Sequence, residues 1–175
     1  MVRTAAGQVY LVGFMGAGKT TAGGHLASLL GWEFADLDEM ICRGEGRSIP
    51  EIFRDQGEPH FRLREREALI AVTTLPRLVV ATGGGTYVAE ENRNLVEAAG
   101  WSVWLQVSLA EALRRAAGSA ARPMMTSRTE VEGLFRFRQE FYRCARVRID
   151  TERLPPGGVA PAILESLLEN GFQPA

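Results

Sequence analysis

The stretch GFMGAGKT, residues 13–20, decides the fold of this chain. It fits the pattern G-x-x-x-x-G-K-[ST] of a phosphate-binding loop, in which glycines let backbone N–H groups turn toward phosphate oxygens. The β-rich run QVYLVGF (8–14) precedes the loop, and apolar residues at helical spacing follow it up to Leu30. Because a strand before and a helix after are the context that this pattern requires, the sequence predicts a nucleoside triphosphate site.

Lys19 lies inside this loop and is the only lysine of the chain. All the others of its 20 lysine and arginine residues are arginines. An ammonium on a slim, flexible stem can reach the β- and γ-phosphates inside a tight loop, whereas a planar guanidinium is too broad. We therefore expect Lys19 to contact the triphosphate. We expect Thr20 to offer its hydroxyl to the Mg²⁺ that bridges the phosphates.

Strand-like and helical segments alternate along the rest of the chain. Predicted strands cover 8–14, 33–38, 77–82, 101–107 and 146–151. Predicted helices cover 19–30, 61–75, 90–99, 108–117, 130–147 and 161–168, and Ser108 with Glu111 forms a capping-box pattern. Three of the strands are apolar on both faces, as in a parallel sheet covered by helices on both sides. The sequence thus predicts a three-layer α/β/α fold in one domain, residues 1–175.

Charge and composition restrict the class of protein. The formal net charge is −1, which argues against binding nucleic acid through overall positive charge. No run approaches the roughly 18 apolar residues of a membrane span, and the N-terminal apolar run is too short for a signal peptide. Cys42 and Cys144 form no C-x-x-C pair, which fits a reducing compartment. We expect a cytoplasmic protein with neither nucleic-acid nor membrane partners.

Two segments predict how a phosphoryl acceptor is held. FADLDEM places Asp36 and Asp38 two residues apart, so in an extended segment both would face the same way. One carboxylate could hold the water shell of the metal while the other receives an acceptor hydroxyl. ATGGGTYV places Gly83, Gly84 and Gly85 after an apolar strand, where ligands of open α/β sheets bind and where glycines permit close approach.

The C-terminal third is rich in arginine. Between Arg114 and Arg153, ten arginines stand against five acids, an excess that suits anionic ligands. Small residues around Arg122 predict a lid that closes and brings Arg122 onto the transferring phosphoryl group. The aromatic residues of this region have helical spacing, so we expect them to face the core rather than RNA or DNA: Phe135, Phe137, Phe141 and Tyr142.

In combination, these motifs resemble the shikimate kinase family almost end to end. GFMGAGKT resembles the Walker A loop of the family, and FADLD resembles its D-x-D motif. GRSIPEIF and GEPHFR resemble its substrate-binding region, and ATGGG resembles its triple-glycine segment. AARPM resembles its lid, and RQEFYRCA resembles a helix that carries an arginine and a tyrosine. Each motif is modest alone, but their order and spacing make the combination highly specific.

The resemblance implies a nucleoside-monophosphate-kinase-like fold with five parallel strands and the transfer of the ATP γ-phosphate to the 3-hydroxyl of shikimate. It implies that Asp38 is the base or the orienter of the hydroxyl, that Asp36 serves Mg²⁺ through water, and that Arg122 stabilises the transferring phosphate. It also implies a substrate-binding segment at about 37–65, a lid at about 116–132 and a monomer.

The resemblance further implies two sets of binding residues. Shikimate contacts are implied for Asp38, Ile49, Phe53, Phe61, Arg62, Glu65, Gly83, Gly84, Gly85 and Arg138, with Arg62 and Arg138 on the carboxylate. ATP contacts are implied for Gly13, Met15, Gly16, Ala17, Gly18, Lys19, Thr20, Thr21, Arg115, Arg122, Arg153 and Pro155. The run DTERLPP departs from the basic pair that many members carry, because Leu154 replaces one of its residues.

Two alternatives stay open at this stage. A different small-molecule kinase, such as a gluconate kinase, would share the loop, and gluconate is also an acid. A nucleotide-binding regulatory protein would bind the triphosphate without phosphorylating a metabolite. GTP is a weaker expectation than ATP, since an N-K-x-D guanine motif needs a second lysine.

Overall fold

Five parallel strands form the sheet of the computed structural model, which describes residues 7–117, 127–155 and 157–174. They are β1 (Gln8–Val12), β2 (Glu33–Asp36), β3 (Leu78–Ala81), β4 (Trp101–Gln106) and β5 (Val147–Asp150). Their order across the sheet is β2-β3-β1-β4-β5. The central strand β1 is buried along its whole length, as its continuous apolar run predicts for a strand covered on both faces.

Seven helices connect and cover these strands in the described part of the chain: α1 (Lys19–Leu30), α2 (Leu37–Glu45), α3 (Ile49–Thr73), α4 (Glu90–Ala99), α5 (Leu109–Ala116), α6 (Arg128–Tyr142) and α7 (Val159–Glu169). Short 3₁₀ helices lie at Thr86–Val88 and Thr151–Arg153. The predicted bounds of α1 and α4 agree with the structure. Gly31 ends α1 with φ of 67°, the left-handed conformation that favours glycine. The predicted α/β class with five parallel strands is confirmed.

A bend at Gly57 divides α3 into two parts. Gly57 has φ of 83° and ψ of 169°, which no helical residue adopts, and Pro59 follows it. The first part begins with a capping box, in which Ser48 and Glu51 satisfy each other's backbone N–H groups. The second part runs from the bend under the sheet edge, so the residues of GEPHFRLRE lie on a helix of changed direction.

Several predicted boundaries are wrong. The predicted strand 33–38 ends at Asp36, because α2 begins at Leu37 and places Asp38 in its first turn. Helix α6 ends at Tyr142, not near residue 147, since the chain turns there to enter β5. Of the predicted lid, 128–132 belongs to α6 and Ala116 belongs to α5, while 118–126 lies outside the described residues.

The predicted capping box at Ser108 is only half correct. The Ser108 hydroxyl accepts a hydrogen bond from the backbone N–H of Glu111, as the pattern predicts. The backbone N–H of Ser108, however, donates to the Glu152 carboxylate at 3.0 Å. The Glu111 carboxylate instead binds Arg114 and Arg115, each at 2.6 Å. Two nearby arginines therefore attract the glutamate more strongly than its own helix terminus does.

The core lies on both faces of the sheet. Its largest fully buried side chains include Tyr10, Phe14, Leu105 and Tyr142. Phe137 is 54% exposed, so the prediction that all aromatic residues of α6 face the core is wrong for this one.

Across the described residues, we find no helix with the length and apolar character needed to cross a membrane.

Candidate active site

The phosphate-binding loop joins the end of β1 to the start of α1 at the carboxyl edge of the sheet. Gly13, Gly16 and Gly18 have φ of 147°, 73° and 89°. Space also requires glycine here, because a Cβ on Gly13 would lie 2.7 Å from the Leu105 carbonyl oxygen. A Cβ on Gly16 would overlap the carbonyl of Ala112. The positive φ values and the lack of space for a Cβ thus both require glycine in this turn at a helix N-terminus, an arrangement that binds anions.

The ammonium of Lys19 folds back over this loop. Its Nζ donates to the carbonyl oxygens of Gly13 at 2.8 Å and Phe14 at 3.0 Å. Burial lowers the pKa of Lys19 to about 8, against the opposing effects of Asp38 and Asp36. A buried ammonium held only by neutral carbonyls gains strongly from an anion, so Lys19 can exchange these contacts for phosphate oxygens.

Asp36 connects the loop to α2. Its Oδ2 accepts a hydrogen bond from the Thr20 hydroxyl at 2.6 Å. Its Oδ1 caps α2 by accepting from the backbone N–H of Asp38 at 2.9 Å. The prediction that Asp36 and Asp38 share an extended segment is wrong, because the first ends a strand and the second lies in a helix. The two residues nevertheless stay in contact through the hydrogen bond from the Asp38 backbone to the Asp36 carboxylate, and Asp36 raises the pKa of Asp38.

Asp38 is the one described side chain that combines a buried charge with an unsatisfied oxygen at this edge. Its Oδ1 is buried and has no hydrogen-bond partner among the described residues. Burial raises the pKa of Asp38 to about 6, with further upward effects from Asp36 and Glu65 and downward effects from Lys19 and Arg62. A buried acceptor without a donor costs free energy, so this oxygen is suited to receive a ligand hydroxyl.

Arg62 stands one turn before Glu65 on the second part of α3. Its Nη1 donates to Glu65 Oε2 at 2.8 Å, and its Nε and Nη2 both donate to Glu58 Oε1 at 3.1 Å. The guanidinium also lies over the ring of Phe61 at 5.3 Å. Burial alone would lower the pKa of Arg62, but the two glutamates raise it, so the arginine stays charged.

Arg138 reaches the same edge from α6. A Cβ on Gly84 would lie 2.9 Å from its Nη1, so glycine allows the guanidinium to approach the backbone. Arg138 forms no ion pair with any described residue, and burial lowers its pKa. The Tyr142 hydroxyl, one turn further along α6, donates to the carbonyl oxygen of Gly84 at 2.5 Å. Arg138 is therefore a buried cation that lacks an anionic partner, as expected of a carboxylate-binding residue.

A cleft of about 380 Å³ brings several of the predicted acceptor residues together. Arg62, Glu65, Gly85 and Arg138 line it, along with residues that sequence reasoning did not select: Glu58, Arg66, Val88, Ala89, Glu91, Asn92, Leu134 and Phe137. The other predicted acceptor residues do not line this cleft: Asp38, Ile49, Phe53, Phe61, Gly83 and Gly84. The predicted apolar wall forms a small cluster of its own, in which the rings of Phe53 and Phe61 are 4.7 Å apart and Ile49 packs nearby.

A second cleft of about 320 Å³ lies on the other side of the phosphate-binding loop. It is lined by predicted ATP residues, namely Ala17, Gly18, Thr21, Arg115 and Pro155, and also by His25, Thr151 and Leu154. Arg115 is fixed by Glu111 at 2.6 Å and by the Thr151 hydroxyl at 3.3 Å. Arg153 does not line this cleft, since its exposed guanidinium pairs with Asp150 at 3.0 Å. Met15 packs against the core and lines neither cleft.

Four residues to which the sequence assigned no role in the site either line these clefts or contact a residue that does. Glu58 and Tyr142 stand four residues from Arg62 and Arg138, and that helical spacing could have indicated both roles. His25 follows the loop by about one and a half helical turns and lines the second cleft. Thr86 gives no local signal, because it meets Glu65 from a segment 21 residues away. The predicted Arg122 lies outside the described residues.

Comparison with known proteins connects this geometry to one family. The family described as shikimate kinase matches residues 15–168. A shikimate kinase from a Sulfurihydrogenibium species is 39% identical over 160 residues, covering 91% of this chain and 96% of its own. A shikimate kinase from Moorella thermoacetica is 40% identical over 163 residues, covering 92% of this chain and 94% of its own.

A solved structure shares the arrangement of elements. The shikimate kinase from Acinetobacter baumannii, determined in complex with shikimate, superposes with a TM-score of 0.89 at 37% identity and covers 97% of each chain. The resemblance that the motifs indicate is thus confirmed over nearly the whole sequence. A gluconokinase from Sinorhizobium meliloti, at 18% identity and a TM-score of 0.58, shares the fold alone.

Proposed function

The chain belongs to the shikimate kinase family, and on that premise we propose how its two clefts carry out the reaction of the family. The enzyme is an ATP-dependent kinase that transfers the γ-phosphate of ATP to the 3-hydroxyl of shikimate, giving shikimate 3-phosphate and ADP. One observation carries the assignment of the site: the buried, unpartnered Oδ1 of Asp38 lies at the sheet edge where the phosphate-binding loop and two arginines meet.

ATP occupies the phosphate-binding loop and the second cleft. The backbone of 13–18 and the N-terminus of α1 cradle the phosphates, and Lys19 leaves its two loop carbonyls for the β- and γ-phosphate oxygens. The phosphates then raise the pKa of Lys19 above its value of about 8, so the side chain stays charged. Arg115 and Pro155 flank the base in the second cleft, on the side where Thr21 also lies.

Shikimate occupies the first cleft with its carboxylate toward the arginines. Arg138 has no competing ion pair in the described residues, and Arg62 can exchange the exposed Glu58 for the substrate carboxylate. Gly83, Gly84 and Gly85 let the ring approach the backbone, and Ile49, Phe53 and Phe61 supply the apolar wall. This orientation directs the hydroxyls toward Asp38.

Asp38 acts as the base or the orienter of the attacking hydroxyl. Its pKa of about 6 leaves it ionised at neutral pH yet basic enough to accept a proton as the new bond forms. The 3-oxygen of shikimate bonds to the γ-phosphorus, the bond from that phosphorus to the β,γ-bridging oxygen breaks, and the proton passes to Asp38. Transfer is direct and in line, and Lys19 stabilises the charge that moves onto the phosphate oxygens.

The residues present also fit Mg²⁺. Thr20 and Asp36 place a hydroxyl and a carboxylate in contact, which are the hard oxygen ligands that Mg²⁺ prefers beside phosphates. No group of three or more acidic, histidine or cysteine side chains suited to a metal occurs among the described residues, as expected of a site completed by water and substrate. Thr20 and, through water, Asp36 would hold Mg²⁺ there, and the ion would supply neutralisation of charge on the phosphates.

The remaining assignments extend this proposal to the whole chain. A single domain, residues 1–175, carries a substrate-binding segment at about 37–65 and a lid at about 116–132, from which Arg122 reaches the transferring phosphate. The protein works as a monomer in the cytoplasm, where ATP is available and the free thiols of Cys42 and Cys144 stay reduced. Its net charge of −1 gives nucleic acid no reason to bind.

A coupled ADP-release assay with Mg·ATP tests the proposal. Shikimate, gluconate, AMP and no acceptor are compared for the wild-type protein, Lys19→Ala and Arg138→Ala. We expect rapid turnover with shikimate only, lost in Lys19→Ala for every acceptor. Arg138→Ala should raise the KM for shikimate and leave the KM for ATP unchanged. Turnover with gluconate instead, or hydrolysis that ignores the acceptor, would overturn the assignment.

A further inference from the structure

The carboxylate of Glu65 is held between two donors behind the acceptor cleft. Only 1% of the residue is exposed. Arg62 Nη1 donates to its Oε2 at 2.8 Å, and the Thr86 hydroxyl donates to its Oε1 at 2.6 Å. A Cβ on Gly83 would lie 2.8 Å from Oε1, so the carboxylate fills the space beside the triple glycine. Each oxygen thus has one charged or short hydrogen bond that fixes its direction.

Thr86 is itself fixed by its surroundings. The residue is fully buried at the start of the 3₁₀ helix that follows the triple glycine. Its backbone N–H donates to the Gly83 carbonyl at 3.2 Å, and its own carbonyl accepts from the Asn92 amide at 3.0 Å. Because the side chain is fully buried and its hydroxyl donates to Glu65 Oε1 at 2.6 Å, the hydroxyl points at Glu65 in a defined direction.

We propose that Thr86 is a positioning residue for the acceptor carboxylate: its hydroxyl orients Glu65, and Glu65 in turn orients Arg62. The inference rests on the proposed function of the first cleft. Without the hydroxyl, Oε1 is a buried charged acceptor that lacks a donor, and the carboxylate turns to recover one. Arg62 Nη1 follows the carboxylate, which moves the guanidinium edge away from the direction that a bound carboxylate needs.

The molecule contains an internal control for this group. At the amino end of β4, Ser102 donates to Oε1 of Glu97, and Arg146 Nε donates to Oε2 of the same residue at 2.6 Å. We call Thr86, Glu65 and Arg62 the acceptor-edge group, and Ser102, Glu97 and Arg146 the amino-end group. Both contain a hydroxyl, a glutamate and an arginine, although Glu97 Oε1 also accepts a hydrogen bond from the Tyr87 hydroxyl at 2.7 Å. None of the amino-end group lines either cleft.

The experiment compares Thr86→Val and Thr86→Ser with Ser102→Ala in the shikimate-dependent ADP-release assay. Loss of a hydrogen bond to a charged group corresponds to about a ten-fold effect. Thr86→Val should therefore raise the KM for shikimate about ten-fold while the KM for ATP stays within roughly two-fold. Thr86→Ser keeps the hydroxyl and should restore the wild-type KM. Ser102→Ala should lower the thermal midpoint and leave both KM values unchanged.

A double-mutant cycle separates action through Glu65 from a general packing effect. In a Glu65→Gln background, Thr86→Val should raise the KM for shikimate much less than it does in the wild-type background. If Thr86→Val does not fold, Thr86→Ala replaces it in the same comparison. Equal effects in both backgrounds, or a serine variant as impaired as the valine variant, would overturn the role of the hydroxyl.

The same data distinguish this inference from the proposed function. If the wild-type protein turns over shikimate but Thr86→Val matches Ser102→Ala, only the positioning role fails. If the wild-type protein does not turn over shikimate, the proposed function fails, and the inference fails with it.

Discussion

The acceptor-edge group and the amino-end group have the same chemistry but differ in what the second edge of the arginine binds. In the amino-end group, Arg146 Nη2 donates to the backbone carbonyl of Glu97 at 2.6 Å, and its guanidinium lies over the Trp101 ring at 5.5 Å. In the acceptor-edge group, the second edge of Arg62 binds Glu58, whose side chain is 61% exposed. A ligand carboxylate can displace an exposed carboxylate but not a backbone carbonyl.

The two groups also differ in where they lie in the fold. The amino-end group joins α4 to β4 and to the turn before β5, so it connects elements of the fold. The acceptor-edge group lies where the strands end, beside the orphaned oxygen of Asp38. A buried arginine–glutamate pair therefore indicates a functional site only under two conditions. One edge of the guanidinium must be available to a ligand, and the pair must lie beside a reactive group.

Replacing Asp38, which lies beside the acceptor-edge group and has no counterpart beside the amino-end group among the residues that the structure describes, should have the largest effect. Asp38→Asn removes the base and should lower kcat with shikimate by about 100-fold or more, the usual range for loss of general base catalysis. Binding of ATP should be retained, which fluorescence titration of the nucleotide can check. An asparagine variant with near wild-type kcat would mean that Asp38 does not act on the hydroxyl.

The same substitution should stabilise the protein. The folded-state pKa of Asp38, about 6, exceeds the ordinary aspartate value of 3.8, so the ionised form is disfavoured in the fold. Stability therefore falls as pH rises from about 4 to about 6, and the penalty persists above that range. We expect Asp38→Asn to be about 1–2 kcal/mol more stable than wild type at pH 7.5 and nearly equal to it at pH 4. Urea unfolding at the two pH values measures this.

Single replacements of Arg62 and Arg146 should show most clearly that only the acceptor-edge group binds the acceptor. Arg62→Ala loses a charged, two-point contact with the acceptor and should raise the KM for shikimate about 100-fold. It should also lower the thermal midpoint, because it leaves the buried Glu65 carboxylate without its cation. Arg146→Ala should leave both KM values unchanged and cost about 1 kcal/mol of stability. Steady-state kinetics and thermal unfolding of the pair check this. Similar kinetic losses in both variants would erase the distinction between the groups.

The pH profile should respond to one glutamate and not to the other. The acid limb of kcat/KM should reflect Asp38, so activity rises with pH up to about 6. Because Glu65 raises the pKa of Asp38, Glu65→Gln should shift this limb downward by about half a unit, whereas Glu97→Gln should not move it. A limb that stays in place in Glu65→Gln would show that the two carboxylates do not interact.

We expect the smallest effect from replacing Glu58, the exposed carboxylate that a ligand can displace from Arg62. Glu58→Gln removes a charge that competes with the acceptor carboxylate and should lower the KM for shikimate about two-fold, the size typical of an exposed ion pair. Glu67→Gln is the matched control, since Glu67 pairs with Arg64 on the exposed side of the same helix. A higher KM in Glu58→Gln than in Glu67→Gln would mean that Glu58 assists binding.

Local sequence signals predicted much of the fold. The bounds of α1 followed from apolar spacing and from Gly31, and the strand positions followed from continuous apolar runs. The ends that failed depend on tertiary contacts. Glu111 left its predicted cap because two arginines of its own helix bind it, and Glu152 took its place from a segment 44 residues away. Single-sequence patterns carry no information about such distant partners.

The residues of the candidate site likewise divide into those that the sequence predicted and those that it did not. Lys19 and the loop glycines follow from a contiguous motif, and the triple glycine follows from its place at the end of an apolar strand. The roles of Arg62 and Arg138 came from the resemblance to a family. The extended arrangement assumed for Asp38 was wrong, because Asp36 caps a helix. The spacing of Asp36 and Glu39 is a helix-start signal that could have indicated this. Thr86 could not be found, since its role exists only once β3 and α3 are packed together.

The most direct test of the whole account compares shikimate with its methyl ester as acceptors, measuring kcat/KM for wild type and for Arg62→Ala. The account predicts that the wild-type protein prefers the acid by about 100-fold or more, because the ester leaves buried arginines without an anion. In Arg62→Ala the preference should shrink markedly. A wild-type protein that phosphorylates the ester as well as the acid would contradict the claim that these arginines select an acidic acceptor.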